Sequence, residues 1–204
     1  YGTVAYYFKY QVAAEFMVGK YFIALLLVSI LGALCTGYLS KKLGKRRLFI
    51  VALMLSGLLT AAFYWVPQGN IDAIFILGCS AEFFAAMMPT LFFTMLGDSA
   101  DYSEWKNGRR ATGLIYSAGT FVQKTGGGFA GALVLVVLAS YGYDGMDKST
   151  IEGSLPGMQL LMSWIPAAFA FAAAALMMWY PLTCQQNQQI GNELIQRRTS
   201  LVTA

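Results

Sequence analysis

The chain has 204 residues, of which 57% are hydrophobic and 12% charged, about half the charge of an ordinary soluble domain. Histidine is absent, which excludes His-based metal centres and His-based acid–base catalysis. The net charge of +4 comes from basic residues in short loops between apolar runs, a membrane pattern and not that of a nucleic-acid binder.

In chain order, residues 1–14 read as most of a first transmembrane helix, with Lys9 near one end where it can snorkel to the interface. The chain opens on Tyr1 with this apolar segment already under way and no signal peptide, so it is expected to be a piece of a longer protein. Residues 21–40 and 48–67 are uncharged runs of 20. Residues 73–97 are apolar except for Glu82, residues 111–143 except for Lys124, and residues 154–182 carry no charge. A hydrocarbon core of ~30 Å takes roughly 20 helical residues, so each run can span it. No period-two alternation points to a barrel. The long spans 111–143 and 154–182 must overhang the core, tilt or kink, and Pro89 is a candidate kink. Cys35, Cys79 and Cys184 are far apart and read as small hydrophobes, not as a disulfide frame or a metal site.

Assigning loops alternately gives one side "KKLGKRR", "KNGRR" and the tail's "QRR", with five, three and two basic residues, ten in all. The other side receives Lys20 and Lys148, with Glu15, Asp72, Asp144, Asp147 and Glu152. The first side is therefore expected to be cytoplasmic. Trp65, Tyr141, Tyr143, Trp179 and Tyr180 fall near span ends, as interfacial anchors do. The tail, residues 183–204, is polar, with a short amphipathic turn around Ile190 and Leu194.

A charge at the middle of a span costs roughly 2.5–3.5 kcal/mol on insertion scales, so such residues face a bundle interior or a wet cavity. Lys124 shares a helical face with Tyr116, Thr120, Gly128 and Gly131, broadened by Ser117, Gly126 and Gly127. Small residues there allow close helix approach or local unwinding beside a cavity. Phe121, Val122, Phe129 and Leu133 lie opposite, toward lipid or other helices. The competing reading is a lysine paired to an acid for assembly alone. Glu82, a possible intramembrane acid, is open to both a structural, protonated role and a functional one. Asp98, Asp101 and Glu104 recur at three-residue spacing on roughly one helix face. Acids so placed could hold Mg²⁺ in a membrane-bound prenyl or phosphoryl transferase. Against this, no second acidic cluster faces the same side, and interleaved Lys106, Arg109 and Arg110 suggest internal ion pairing. A third reading is a structural membrane subunit that transports nothing.

The stretch "DSADYSEWKNGRRATGLIYSAGTFVQKTGG" closely resembles the signature of the glycoside–pentoside–hexuronide:cation symporters, the melibiose-permease-like family of the major facilitator superfamily. The matching positions are Asp98, Asp101, Tyr102, Glu104, Trp105, Gly108, Arg110 and Lys124, while Ser103 departs from the usual Gly and Thr112 stands where many members carry an acid. "GYLSKKLGKRR" is similar to a degenerate second copy of the superfamily's loop element, with Lys41 in place of its acid. The resemblance implies an all-α membrane protein: six transmembrane helices, numbers seven to twelve, forming the C-terminal half of a major-facilitator fold. Residues 1–182 would be the bundle, as two three-helix repeats of about 1–67 and 71–182, followed by a cytoplasmic tail.

The function so implied is import of a sugar, glycoside or sugar acid with Na⁺ or H⁺ by alternating access, without enzymatic chemistry, in a bacterial inner membrane. No cofactor or metal is implied beyond the coupling ion, held mainly by the N-terminal half. The expected partners are the small-molecule sugar, that N-terminal half and the lipid bilayer, with no nucleic acid. Lys124, with Tyr116, Thr120, Gln123 and Gly128, would line the cavity. Asp98, Asp101, Tyr102, Glu104, Trp105 and Arg110 would form a cytoplasmic gate whose carboxylates pair with Arg110.

Overall fold

The computed structural model describes residues 15–67, 70–109, 111–143, 150–182 and 184–202. The expected first span with Lys9, the gate residue Arg110, and the loop residues Asp144, Asp147 and Lys148 lie outside the described residues. Every described element is helical. A 3₁₀ turn, Glu15–Met17, leads into α1, Val18–Leu43; α2 is Lys45–Ala62, closed by a second 3₁₀ turn, Phe63–Trp65. Then come α3, Ile71–Ala85; α4, Met87–Asn107; α5, Thr112–Ser140; α6, Ile151–Met162; α7, Trp164–Met177; and α8, Cys184–Val202.

Five stretches are long and apolar enough to cross a bilayer: Val18–Leu43, Lys45–Trp65, Ile71–Asn107, Thr112–Ser140 and Gly153–Met177. They coincide with the five expected spans that fall on described residues. Helix is what such sequences must form in hydrocarbon, where each N–H and C=O has to find its partner within the segment. Exposure follows the same logic. Ile23, Leu26, Leu27, Ile30, Leu31 and Leu34 all lie open on one long flank of α1, as lipid-facing or partner-facing side chains do.

Two of the five spans are broken, and for the same reason. The third divides at Ala86, between α3 and α4, and the fifth at Ser163, between α6 and α7. Each break lies three residues before a proline, Pro89 and Pro166. A proline cannot donate to the carbonyl four residues back and its ring crowds that carbonyl, so the preceding turn loosens. Ser163 takes φ −120° and ψ −85°, and its hydroxyl donates to the Gln159 carbonyl at 2.6 Å. The candidate kink at Pro89 is thus present as a helix break one turn upstream.

α1 and α2 form a hairpin whose connection is the single residue Gly44, at φ +81°. Its N–H donates to the Ser40 carbonyl and its carbonyl accepts from Leu48 N–H, both at 3.0 Å. The φ value is one that a side chain would strain. α2 packs chiefly on α7 and α3, α1 on α3, and α4 on α5 and α8. Leu48, Ala52, Met87 and Leu91 form one buried cluster, and Tyr21, Leu25, Phe63, Val66 and Ile74 another.

Close helix approach is made at Gly32 and Gly119, and not at Gly126–Gly131. A Cβ placed on Gly32 would collide with the backbone carbonyl of Phe83, whereas one at Gly126, Gly127, Gly128 or Gly131 would meet nothing within 4 Å. α5 also runs unbroken through those glycines. Local unwinding and tight packing at Gly126–Gly131 are therefore absent from the described residues.

Because the Phe83 carbonyl is fixed in its helix, Gly32→Val should push α1 off α3 and cost about 1–3 kcal/mol. Gly37→Val, where an added Cβ meets nothing within 4 Å, is the control. Thermal unfolding of the two variants in detergent should show a lowered midpoint for the first alone.

Candidate functional site

α5 carries the intramembrane lysine, and it is held at its two ends. Near its start, the Tyr116 hydroxyl donates to the Phe93 carbonyl of α4 at 3.1 Å, and the two rings stack with centroids 6.4 Å apart. Gly119 is buried there and leaves room for Leu96. Toward its end, Val134, Val137 and Leu138 pack on Leu155, Met158 and Leu161. Between these anchors, residues 121–132 are exposed without exception.

Lys124 sits in that uncovered middle and has no hydrogen bond or ion pair to any described residue. Gln123 and Gly128 are exposed beside it. Tyr116 and Thr120 are differently placed. The Tyr116 hydroxyl is committed to α4, and the Thr120 hydroxyl donates back to the Tyr116 carbonyl at 2.8 Å. Within this chain, then, the expected cavity set divides into two occupied side chains at the α4 contact and three positions on an open face. Glu82, the other intramembrane charge, accepts a 2.6 Å hydrogen bond from Ser29 of α1. It borders a separate cavity of about 260 Å³ with Tyr21, Ser56 and Thr60.

The second group lies where α2, α4 and α8 meet. Asp98 is gripped by Lys45 Nζ, at 2.7 Å from Oδ1 and 2.8 Å from Oδ2, and by Asn187 Nδ2 at 2.9 Å from Oδ2. The Asp98 side chain is 14% exposed and that of Lys45 37%, so this pair is better shielded than a surface ion pair, which is worth about 0–1 kcal/mol. The bond places the basic loop, the acidic end of α4 and the tail at one end of the bundle.

The expected pairing with Arg110 falls outside the described residues, but these contacts add a group to the expected gate set. Among the described residues the cation on Asp98 is Lys45, from the basic loop. Asp101 is half-buried with no ion pair to a described residue, and Lys106 sits over the Tyr102 ring, 5.8 Å from its centroid, instead of pairing with a neighbouring acid. Glu104 accepts the capping N–H of Gly108 on its backbone carbonyl at 2.9 Å, where Gly108 takes φ +66° and ends α4. Since Asp98 is engaged, and since among the described residues no three acidic, Cys or His side chains gather as a metal site would require, Mg²⁺-dependent transfer through Asp98, Asp101 and Glu104 is not favoured.

Tyr102 and Trp105 serve as a shelf for the tail. The expected short turn is in fact a helix of 19 residues, α8, whose buried Ile190 and Leu194 pack with Leu182, Tyr102, Trp105 and Tyr180. Trp105 Nε1 donates to Glu193 Oε2 at 2.6 Å, and Arg197 donates to the Trp105 carbonyl at 3.2 Å. A cavity of about 450 Å³ remains under α8, lined in part by Ser99, Tyr102 and Tyr180. The buried Tyr180 hydroxyl has no hydrogen-bond partner among the described residues. Burial pushes its pKa up; Ser99, which pulls the other way without completing a bond, donates to the Met95 carbonyl at 3.0 Å, and the Asp98 charge adds to the rise. The hydrogen bonds from Trp105 and then Gln189 hold the Glu193 carboxyl below its ordinary value. Lys45, Asn187, Glu193 and Arg197 were not among the expected site residues. Lys45 and Arg197 left a signal in the sequence, as parts of the basic loop and of the tail's "QRR".

The family model for MFS/sugar transport proteins matches residues 1–184. The chain is 28% identical over 180 residues to the isoprimeverose transporter of Lactiplantibacillus pentosus, covering 87% of this chain and 37% of that protein. It is 28% identical over 204 residues to the inner membrane symporter YicJ of Escherichia coli K12, covering 96% and 43%. It is also 28% identical over 194 residues to an uncharacterized 29.9 kDa protein of Pseudescherichia vulneris, covering 93% and 70%. The chain thus spans less than half the length of the two named transporters. No solved structure matches it.

Two outcomes test the end cluster. Lys45→Met leaves a shielded carboxylate without its cation and should lower stability by about 1–3 kcal/mol, read as a lowered thermal midpoint that Asp98→Asn in the same chain restores. Because the Glu193 carboxyl is depressed in the docked state, docking gains stability above the ordinary carboxylate value and loses it as pH falls through the depressed one. Acidification should therefore release α8, seen as a change in Trp105 fluorescence that Glu193→Gln abolishes.

Proposed function

We propose that this chain, which belongs to the MFS/sugar transport protein family, is the C-terminal half of a secondary active transporter that imports a sugar, glycoside or sugar acid with Na⁺ or H⁺. It is a multi-pass membrane protein. The observation that carries the reading is Lys124, a cation in the middle of a span on a face that nothing in the described chain covers. Left against lipid, that charge would cost roughly 2.5–3.5 kcal/mol on insertion scales. The cost is avoided if the uncovered face of α5 looks into a wet cavity shared with an N-terminal six-helix half. The lengths of the named relatives, one called a transporter and one a symporter, support the same view.

In this reading Lys124 offers three donors and a positive charge. With the cavity empty it pairs with carboxylates of the partner half; with substrate bound it turns to a sugar hydroxyl or a substrate carboxylate. Competition between Lys124 and the coupling ion for one acidic site links the two fluxes. Gln123 and Gly128 border the same opening, Tyr116 fixes the helix that presents it, and Thr120 lies one turn further along. The two three-helix repeats, about 1–67 and 71–182, rock as one body against the partner half. The Lys45–Asp98–Asn187 junction lies on the cytoplasmic side, together with the C-terminus, and helps to close the inner gate. The membrane is the bacterial inner membrane.

Lys124→Ala should abolish coupled sugar uptake while leaving membrane insertion and thermal midpoint close to those of the parent. Lys124→Arg should rescue poorly, since a planar guanidinium does not replace a compact ammonium in a tight site. Uptake and thermal stability measured on one preparation separate this from an assembly role. Normal uptake per folded molecule in Lys124→Ala overturns the proposal.

A further inference from the structure

The α1–α2 turn carries a second charged feature, next to the Asp98 junction, whose own smaller cavity shares Lys41 and Cys184 with it. A cavity of about 620 Å³ opens there, lined by Lys41, Lys42, Arg46 and Arg47, with Leu43 and Ile50 as its apolar wall and Cys184 and Gln185 at the start of α8. No acid lines it. Arg46 is partly occupied, donating to the Met178 carbonyl at the end of α7. Lys41, Lys42 and Arg47 are exposed and have no hydrogen bond or ion pair to a described residue. The cavity therefore gathers three cations that no described acid pairs with, since Asp98 in the adjoining cavity is held by Lys45.

Its position says which anion suits it. α1 ends and α2 begins at this turn, so the cations stand where two apolar spans leave the hydrocarbon. Below Arg47, α2 presents Val51, Met54, Leu55 and Leu58, all exposed. Their spacing from Arg47, at four, seven, eight and eleven residues, sets them on one helical stripe running down from the charge. A free anion would use the cations and leave that stripe idle. An anionic phospholipid uses both, with its phosphate among the four cations and an acyl chain along the stripe.

We propose that the Lys41–Lys42–Arg46–Arg47 cavity is a binding site for an anionic phospholipid with a net-negative phosphodiester headgroup. The site is independent of the Lys124 face and does not rest on the transport reading. Lys45 turns away from it to hold Asp98, so the loop divides its cations between an internal bond and the lipid. Cys184 lines the cavity and is exposed, while Cys35 and Cys79 are half-buried within spans, so its thiol reports occupancy.

The test uses the full chain in neutral detergent, titrated with phosphatidylglycerol, with phosphatidylcholine, or with inorganic phosphate. Labelling of Cys184 by an uncharged maleimide and the thermal midpoint are followed together, in a Cys35→Ser/Cys79→Ser background. Phosphatidylglycerol should slow labelling and raise the midpoint, and the other two additions should do neither. Lys41→Gln/Arg47→Gln should weaken the phosphatidylglycerol effect about 30-fold, at about 1 kcal/mol for each cation, and Lys41→Arg/Arg47→Lys should retain it. Protection by inorganic phosphate alone, equal protection by phosphatidylcholine, or an undiminished effect in the Gln variant would each overturn the proposal.

Discussion

A carboxylate that has left bulk water must be met by a cation and by hydrogen-bond donors, and Asp98 meets that demand by drawing on three helices at once. Lys45 comes from the first turn of α2, Asn187 from the first turn of α8, and the acid itself from the middle of α4. The one-residue turn at Gly44 makes this possible, because it brings α2 back along α1 with Lys45 already at its start. Through α2 the constraint reaches α7 and α3, its main packing partners. Through Asn187 it sets where α8 begins, and so which of its residues can reach Tyr102 and Trp105. Replacing any one of these contacts would leave the others aimed at a group that had moved.

The two intramembrane charges show two different solutions to one energetic problem. Glu82 is provided for inside the chain, with the Ser29 hydroxyl at 2.6 Å and a cavity beside it that Ser56 and Thr60 also line. Lys124 is provided for by nothing described here, although its helix is firmly tied above and below. A helix fixed at both ends and bare between them presents its middle at a defined depth and angle. That is what a residue working against a separate body requires, and it is why the open face of α5 weighs more than its composition.

How much of this could be read beforehand follows from the range of the forces involved. The spans were legible because hydrocarbon leaves an apolar run of that length a single backbone option, and the break near Pro89 because a missing N–H is a local fact. The acids of α4 were found as a motif, but not the group that holds Asp98. Lys45 is 53 residues away, and the basic loop around it is explained well enough by membrane orientation alone. The tail was underestimated for a related reason. Cys184–Val202 is mostly Gln, Asn and charge, and its helix is held by two apolar anchors and by Trp105, none of which has meaning until Tyr102 and Trp105 are known to be a shelf. Gly126–Gly131 misled in the other direction: small side chains permit close contact, but only a neighbour at the right distance, as Phe83 is for Gly32, turns permission into packing.

The paired breaks at Ala86 and Ser163 have a consequence for the membrane that surrounds the protein. From Ile71 to Gly97 the third span has 27 residues, about 40 Å of straight helix at 1.5 Å per residue, against a hydrocarbon thickness of ~30 Å. A rigid rod of that length could fit only by leaning as a whole or by thickening the lipid around it. A jointed one can fold its excess into the angle at Ala86, and the fifth span can do the same at Ser163. The bundle can thus keep its outer rim level with bilayers of different thickness while α1, α2 and α5, which have no such joint among their described residues, hold their tilt.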